Sequence, residues 1–184
     1  MLPPFVRAVR SAAWLTGRGT ASRIVHALKY DGWRLLATGM ASEMARLRWP
    51  TDVLRERAWL VPVPLTASRA RERGFNQAEV LARALAPHWG VPVLPALLRT
   101  RMPVSQTRLT PGERVVNVTR AFTVAPAGAS DLKGAHCVLV DDVVTTAATL
   151  IACAAALVDG GARIVSCATF GRAPAIGDRR SSLE

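Results

Sequence analysis

Apolar residues run consecutively, without alternation, through Val138 to Val140 inside the stretch His136-Cys-Val-Leu-Val140. A strand that offers no polar face is buried on both sides, as in the middle of a parallel sheet. Asp141 and Asp142 follow where the apolar run stops, so two carboxylates are expected at the strand's end. Hydroxyls come next at Thr145, Thr146 and Thr149, and Ala147 to Leu157 is dense in strong helix formers. This predicts a helix whose N-terminus gathers hydroxyls and free backbone N–H groups, an arrangement that favours phosphate.

The same criterion divides the rest of the chain. Residues 20 to 48 place Ile24, Leu28, Leu35, Leu36, Met40, Met44 and Leu47 at roughly helical spacing with a break at Asp31-Gly32, which predicts two helices before Pro50. Ala58 to Pro64 reads as a short strand ended by prolines, and Pro64 to Gly74 as a loop. Asn76 with Glu79 resembles a capping box, opening a helix through Ala86 that Gly90 helps to finish. Leu94 to Thr100 and Phe122 to Val124 read as strands. Between them, Arg99 to Arg108 has no apolar period and is read as a mobile basic segment, and Thr110-Pro-Gly-Glu113 as the start of a short helix. Pro126 to Ser130 is a turn-rich connector, Arg163 to Phe170 a last apolar strand after Gly160-Gly161, and Ala173 to Glu184 a frayed tail.

A length of 184 residues suits one domain able to bury a core without staples. Cys137, Cys153 and Cys167 fall inside predicted elements with no C-x-x-C spacing, so they read as small core residues and zinc is not expected. No apolar stretch reaches the length of a membrane span, and a cytoplasmic location is expected. The net charge of +11 suits anionic partners, either a pyrophosphorylated sugar or nucleic acid. Aromatic residues are few and do not interleave with the basic clusters in sequence, which argues against a surface that stacks single strands.

Carboxylates for sugar hydroxyls beside donors for a phosphate describe a ribose 5-phosphate site at the carboxyl end of a strand, the usual ligand crevice of open α/β sheets. A response-regulator acidic pocket draws its paired acids from near the chain start, unlike positions 141 and 142. Neither Gly-x-x-x-x-Gly-Lys nor Gly-x-Gly-x-x-Gly is present. In a purely structural alternative, Thr145 merely caps the helix and the acids are merely solvated.

Val138 to Leu150 resembles the signature of the type I phosphoribosyltransferases: an apolar strand, two acids, then Thr-Thr-Gly-x-Thr. Ala147 stands where that family has Gly, so a loop that needs φ > 0 or close backbone approach would bind phosphate less well here. Val61-Pro-Val-Pro64 and Arg69-Ala-Arg-Glu-Arg-Gly-Phe-Asn-Gln77 resemble the ComF family of competence-associated homologues. Ala27-Leu-Lys-Tyr30, Gln106, Leu109, Glu113-Arg114, Asn117 and Ala121-Phe122 extend the likeness over roughly residues 20 to 172. The Cys-rich zinc ribbon with which many members begin has no counterpart in these residues.

The resemblance implies a three-layer α/β fold with a mainly parallel central sheet. It implies a helical hood over residues 1–57, a core over 58–172 and a flexible tail over 173–184. It also implies transfer from phosphoribosyl pyrophosphate with Mg²⁺ as cofactor, with no protein residue assigned as a direct metal ligand. Asp141 and Asp142 would hold the ribose hydroxyls; Val143, Val144, Thr145, Thr146, Ala147, Ala148 and Thr149 would wrap the 5-phosphate. Leu65, Thr66, Ala67 and Ser68, with Arg69 and Arg73 as charge partners, would meet the pyrophosphate. Arg99, Arg101, Gln106 and Arg108 resemble the flexible lid. Lys29 and Tyr30 either face the cleft from the hood or are a surface Lys beside a packed Tyr, and Phe75 reads as a core staple. The alternative is a non-catalytic DNA-uptake factor that keeps the fold, binds single-stranded DNA and works with a competence helicase. Self-association is compatible with either.

Overall fold

The computed structural model describes residues 2–17, 19–100 and 121–174. In chain order its elements are β1 (Val6–Trp14), α1 (Thr20–Tyr30), α2 (Leu36–Ala45), α3 (Thr51–Glu56), β2 (Arg57–Pro62), α4 (Ala67–Arg73), α5 (Gln77–Trp89), β3 (Leu97–Arg99), β4 (Phe122–Val124), α6 (Ala129–Leu132), β5 (His136–Val144), α7 (Ala148–Asp159) and β6 (Ile164–Arg172).

The doubly apolar stretch takes the place its composition dictates. β5 lies between β6 and β2 in a four-stranded sheet of order β1-β6-β5-β2, with every pairing parallel. Val138 and Val140 face one layer, with Leu28, Met40, Leu81 and Leu85 from α1, α2 and α5. Cys137 and Leu139 face the other, with Leu150, Cys153 and Leu157 of α7 and with Leu97 and Phe122 from the antiparallel pair β3-β4. This is the expected three-layer α/β architecture.

Of the helices that follow β2, α5 packs on one face of the sheet, and α7, which follows β5, packs on the other. Adjacent parallel strands whose following helices part in this way leave a crevice between their carboxyl ends, where open α/β sheets bind ligands. The turns that follow β2 and β5 therefore meet at one spot, joined by the Val63 N–H donating to the Val140 carbonyl at 3.0 Å.

Three local readings change. Residues 6–14, expected within a helical hood, form the edge strand β1, which has a single strand partner and so carries only partial apolar alternation. The loop from Pro64 to Gly74 contains the helix α4: the Thr66 hydroxyl accepts from the Arg69 N–H at 3.2 Å, and Gly74 ends the helix at φ +69°. No α4 side chain is buried, so no apolar period announces it. The strand expected over 94–100 is confined to Leu97–Arg99. Of the expected capping box only the Asn76 half forms, its side chain accepting from the Ala78 N–H at 3.0 Å, and Gly90 closes α5 at φ +63°. Glu79 turns forward to Arg83 at 2.7 Å. The three cysteines are free and buried. Among the described residues, no helix is long and apolar enough to cross a membrane.

At the amino end of the sheet, buried His136 shares a 2.9 Å hydrogen bond with the Ser166 hydroxyl, while Glu56 pairs with Arg163. Burial holds the His136 imidazole below its usual 6.5. The unfolded chain therefore takes up this proton first as pH falls, and stability that is full above about pH 6.5 is lost as pH drops toward the depressed folded value. Thermal melts between pH 7.5 and pH 5 are expected to show a smaller loss in His136→Gln than in the parent chain.

Candidate functional site

β5 continues through both acids to Val144, pairing Asp141 with Thr169 and Val143 with Gly171 of β6. The carboxylates thus lie within the strand, one step earlier than the apolar run suggests. Successive strand residues point to opposite faces, and this separates the two acids. Asp141 lines a cleft of about 50 Å³ with Val143 to Leu150. Asp142 points into the other layer and is 3% exposed.

Their surroundings differ accordingly. Asp141 is half-buried, and its Oδ1 accepts from the Asp142 backbone N–H at 2.8 Å. Burial and the neighbouring charge of Asp142 push its carboxyl well above the usual carboxylate range, with Lys29 pulling the other way. On Asp142, Oδ2 meets the Lys29 ammonium at 2.5 Å and Oδ1 lies 3.4 Å from the Gln77 amide nitrogen. Lys29 comes from the last turn of α1 and its side chain is only 21% exposed, turned inward onto Asp142 and not lying free on the surface. Gln77, buried at the start of α5, escaped the sequence reading; its place directly after the Asn76 cap is the one signal that it turns inward.

The phosphate-side residues come together as expected. Thr145, Thr146, Ala148 and Thr149 are exposed along the turn into α7, and no side chain caps that helix. The hydroxyls are therefore free of the capping role that a purely structural reading gives them. Ala147 sits at φ +62°, ψ 1°, and is the only non-glycine residue with positive φ among those described. The turn thus does require the conformation that glycine adopts most easily. A left-handed alanine costs roughly 1–2 kcal/mol, while glycine loses roughly 0.5–1 kcal/mol more backbone entropy on folding. Ala147→Gly is expected to gain about 0.5–1 kcal/mol of stability, measured by urea unfolding, and to leave phosphate binding equal or tighter.

On the pyrophosphate side, Leu65 and Thr66 lead into α4, where Ala67, Ser68 and Arg69 are exposed. Arg73 bends back to α1: its guanidinium stacks 5.0 Å from the Tyr30 ring centroid, and Nη2 lies 3.4 Å from the Tyr30 hydroxyl. Its Nε and Nη1 are buried without a hydrogen-bond partner. Phe75 is partly buried under Arg34, 4.5 Å from the ring centroid, which fits its reading as a staple. Of the expected lid, Arg99 is exposed on β3 over the Phe122 ring at 5.1 Å. Arg101, Gln106 and Arg108 lie outside the described residues, as do the second capping box and residues 175–184 of the expected tail.

Tyr30, Trp33 and Leu35 are exposed by 58%, 63% and 90% around the α1–α2 turn. Arg34 stands beside Trp33 in the chain, and folding brings Arg73 in from α4 against the Tyr30 ring. Among the described residues no group of three or more His, Cys, Asp or Glu side chains could hold a metal ion by itself.

Known proteins resemble this chain in sequence. The sequence profile of the phosphoribosyl transferase domain matches residues 72–182. The DNA utilization protein YhgH of Escherichia coli K12 is 31% identical over 172 residues, covering 89% of this chain and 70% of that protein. The Salmonella typhi YhgH is 34% identical over 151 residues, and the chain spans 63% of its length. Competence protein F of Haemophilus influenzae is 34% identical over 92 residues, covering 50% of this chain and 40% of that protein. Among solved structures, the B. subtilis glutamine phosphoribosylpyrophosphate amidotransferase complexed with ADP and GMP superposes with a TM-score of 0.49 at 17% identity, over 71% of this chain and 25% of that one.

Proposed function

The chain belongs to the phosphoribosyltransferase domain family, in its ComF branch, and on that premise we propose that it binds phosphoribosyl pyrophosphate and transfers the phosphoribosyl group to a base. The observation that carries this reading is the cleft shared by Asp141 and the uncapped, hydroxyl-rich turn Val143 to Thr149 at the N-terminus of α7. A 5-phosphate would take the turn's N–H groups and hydroxyls, leaving the ribose beside the carboxylates.

Asp141 would accept from a ribose hydroxyl directly, and Asp142 once its present partners yield. Arg69 and Arg73 would meet the departing pyrophosphate, the guanidinium fork being suited to bidentate phosphate contacts. Displacement at the anomeric carbon passes through a charge-separated transition state, so the protein's part is to hold the sugar in line and balance charge. Mg²⁺ fits this site by the chemistry of its donors: Asp141 is a carboxylate opening onto the phosphate-turn cleft, and Mg²⁺ is commonly carried on substrate phosphates with few protein ligands. When bound, the ion would neutralise pyrophosphate charge, while Asp141 and Asp142 would hold the ribose hydroxyls. We place this activity in the cytoplasm. Calorimetry of the full chain with Mg²⁺ and phosphoribosyl pyrophosphate is expected to give single-site binding that ribose 5-phosphate competes away; no heat and no competition would refute the reading.

A second reading, handling of single-stranded DNA alongside a helicase, is favoured by one observation: exposed Tyr30 and Trp33 beside Arg34 and Arg73. Bases stack on such rings for roughly 1–3 kcal/mol each. Trp33→Ala is expected to weaken oligonucleotide binding by about tenfold in a fluorescence titration, and the parent's log affinity to fall linearly with log salt. Salt-independent binding, or binding that Trp33→Ala leaves intact, would remove this surface from the account.

A further inference from the structure

Two consecutive residues of α1 occupy the two groups that a phosphoribosyl pyrophosphate would need. Lys29 holds Asp142 at 2.5 Å, and Tyr30 lies against Arg73 with the hydroxyl 3.4 Å from Nη2. Asp142 Oδ2 has essentially no accessible surface, so a hydroxyl that must approach to about 2.7 Å finds its place taken by the ammonium. Asp141, by contrast, opens onto the phosphate-turn cleft.

The helix that does this is lightly held. Val25 and Leu28 are the only α1 side chains that are buried, in the cluster that holds Ala37, Met40, Ala41 and Met44 of α2 and Val138 and Val140 of β5. Gly17 and Gly19 precede α1, and Gly32, at φ +69°, follows its cap residue Asp31. Glycines thus flank α1 on both sides.

Resting on the sugar-phosphate reading above, we propose that the last turn of α1 is an internal stand-in for the ligand. Lys29 caps the ribose carboxylate Asp142 and Tyr30 caps the pyrophosphate arginine Arg73 in the empty protein, and phosphoribosyl pyrophosphate binds by displacing both. Occupancy of the site is then coupled to the position of α1. A ligand that carries only the 5-phosphate turn's share of the contacts leaves the latch closed, whereas one that carries ribose hydroxyls and pyrophosphate opens it.

Hydrogen exchange on the full chain tests this with and without Mg²⁺ and phosphoribosyl pyrophosphate. Ligand is expected to slow exchange over residues 143–151 and to speed it over 24–31. Lys29→Gln and Tyr30→Ala are expected to bind about tenfold more tightly by calorimetry, the gain due if the latch is open about a tenth of the time. Tyr30→Ala leaves the buried ion pair in place, so it remains informative should Lys29→Gln fail to fold. Slowing over both segments, or affinity unchanged or weakened in the folded variants, overturns the latch while leaving the sugar-phosphate reading intact. If neither the parent nor the variants bind, that reading fails and the latch with it.

Discussion

Asp141→Asn is expected to lower the proposed affinity for Mg²⁺–phosphoribosyl pyrophosphate by roughly 10- to 150-fold and at the same time to make the ligand-free protein more stable. The first effect follows from losing one charge-assisted hydrogen bond, worth roughly 1.5–3 kcal/mol. The second follows from the cost of holding this carboxylate ionised. Its folded pKa is raised, so its favourable contribution is full below about pH 3.8 and is lost as pH climbs through the raised value. At neutral pH the folded state carries that strain, and Asn removes it while its amide oxygen can still accept from the Asp142 N–H, which now meets Oδ1 at 2.8 Å. The gain is expected at about 0.5–2 kcal/mol, the range of single stabilising substitutions. Calorimetric titration and melts at pH 7.5 and pH 5 check both halves, and the stability advantage should shrink on acidification. A variant that binds normally would remove Asp141 from the site.

Lys29→Met is expected to destabilise the ligand-free protein by about 3 kcal/mol, a fall in Tm of roughly 6–12 °C. It leaves Asp142, whose side chain is 4% exposed, without its counter-ion; Lys29 keeps 21% of its side chain in solvent, so the lower end of the range for a broken buried pair applies. Lys29→Met with Asp142→Leu should recover most of the loss, because replacing both partners by apolar groups leaves no stranded charge. Equal Tm in the parent and Lys29→Met would show that water already compensates Asp142.

What was legible in the sequence follows from how each element is buried. β5 was readable because it has no polar face, and α5 because its cap residues and apolar stripe agree. β1 was not, since an edge strand with arginines at 7 and 10 carries half the pattern, and α4 was not, since a helix that buries nothing has no period to detect. At the site, Asp141 and the threonines could be named because they are contiguous. The left-handed turn at Ala147 could only be posed as a question, as its backbone is set by how β5 must bend into α7. Lys29, placed in sequence with two alternatives open, was decided by tertiary packing alone, and so were the arginine–aromatic pairs.

The strand order has a consequence for synthesis. β6 lies inside the sheet between β1 and β5, yet among the described strands it is the last to be made. Until Arg172 has left the ribosome, β1 has no partner, and the hydrogen-bonding edge of β5 that β6 will cover stays open. Such late, non-local pairing is slow and leaves apolar strand surface exposed in the nascent chain. A chain arrested before β6 should therefore fail to acquire protease resistance anywhere in the sheet, and release of the final strand should confer it on both ends of the molecule at once.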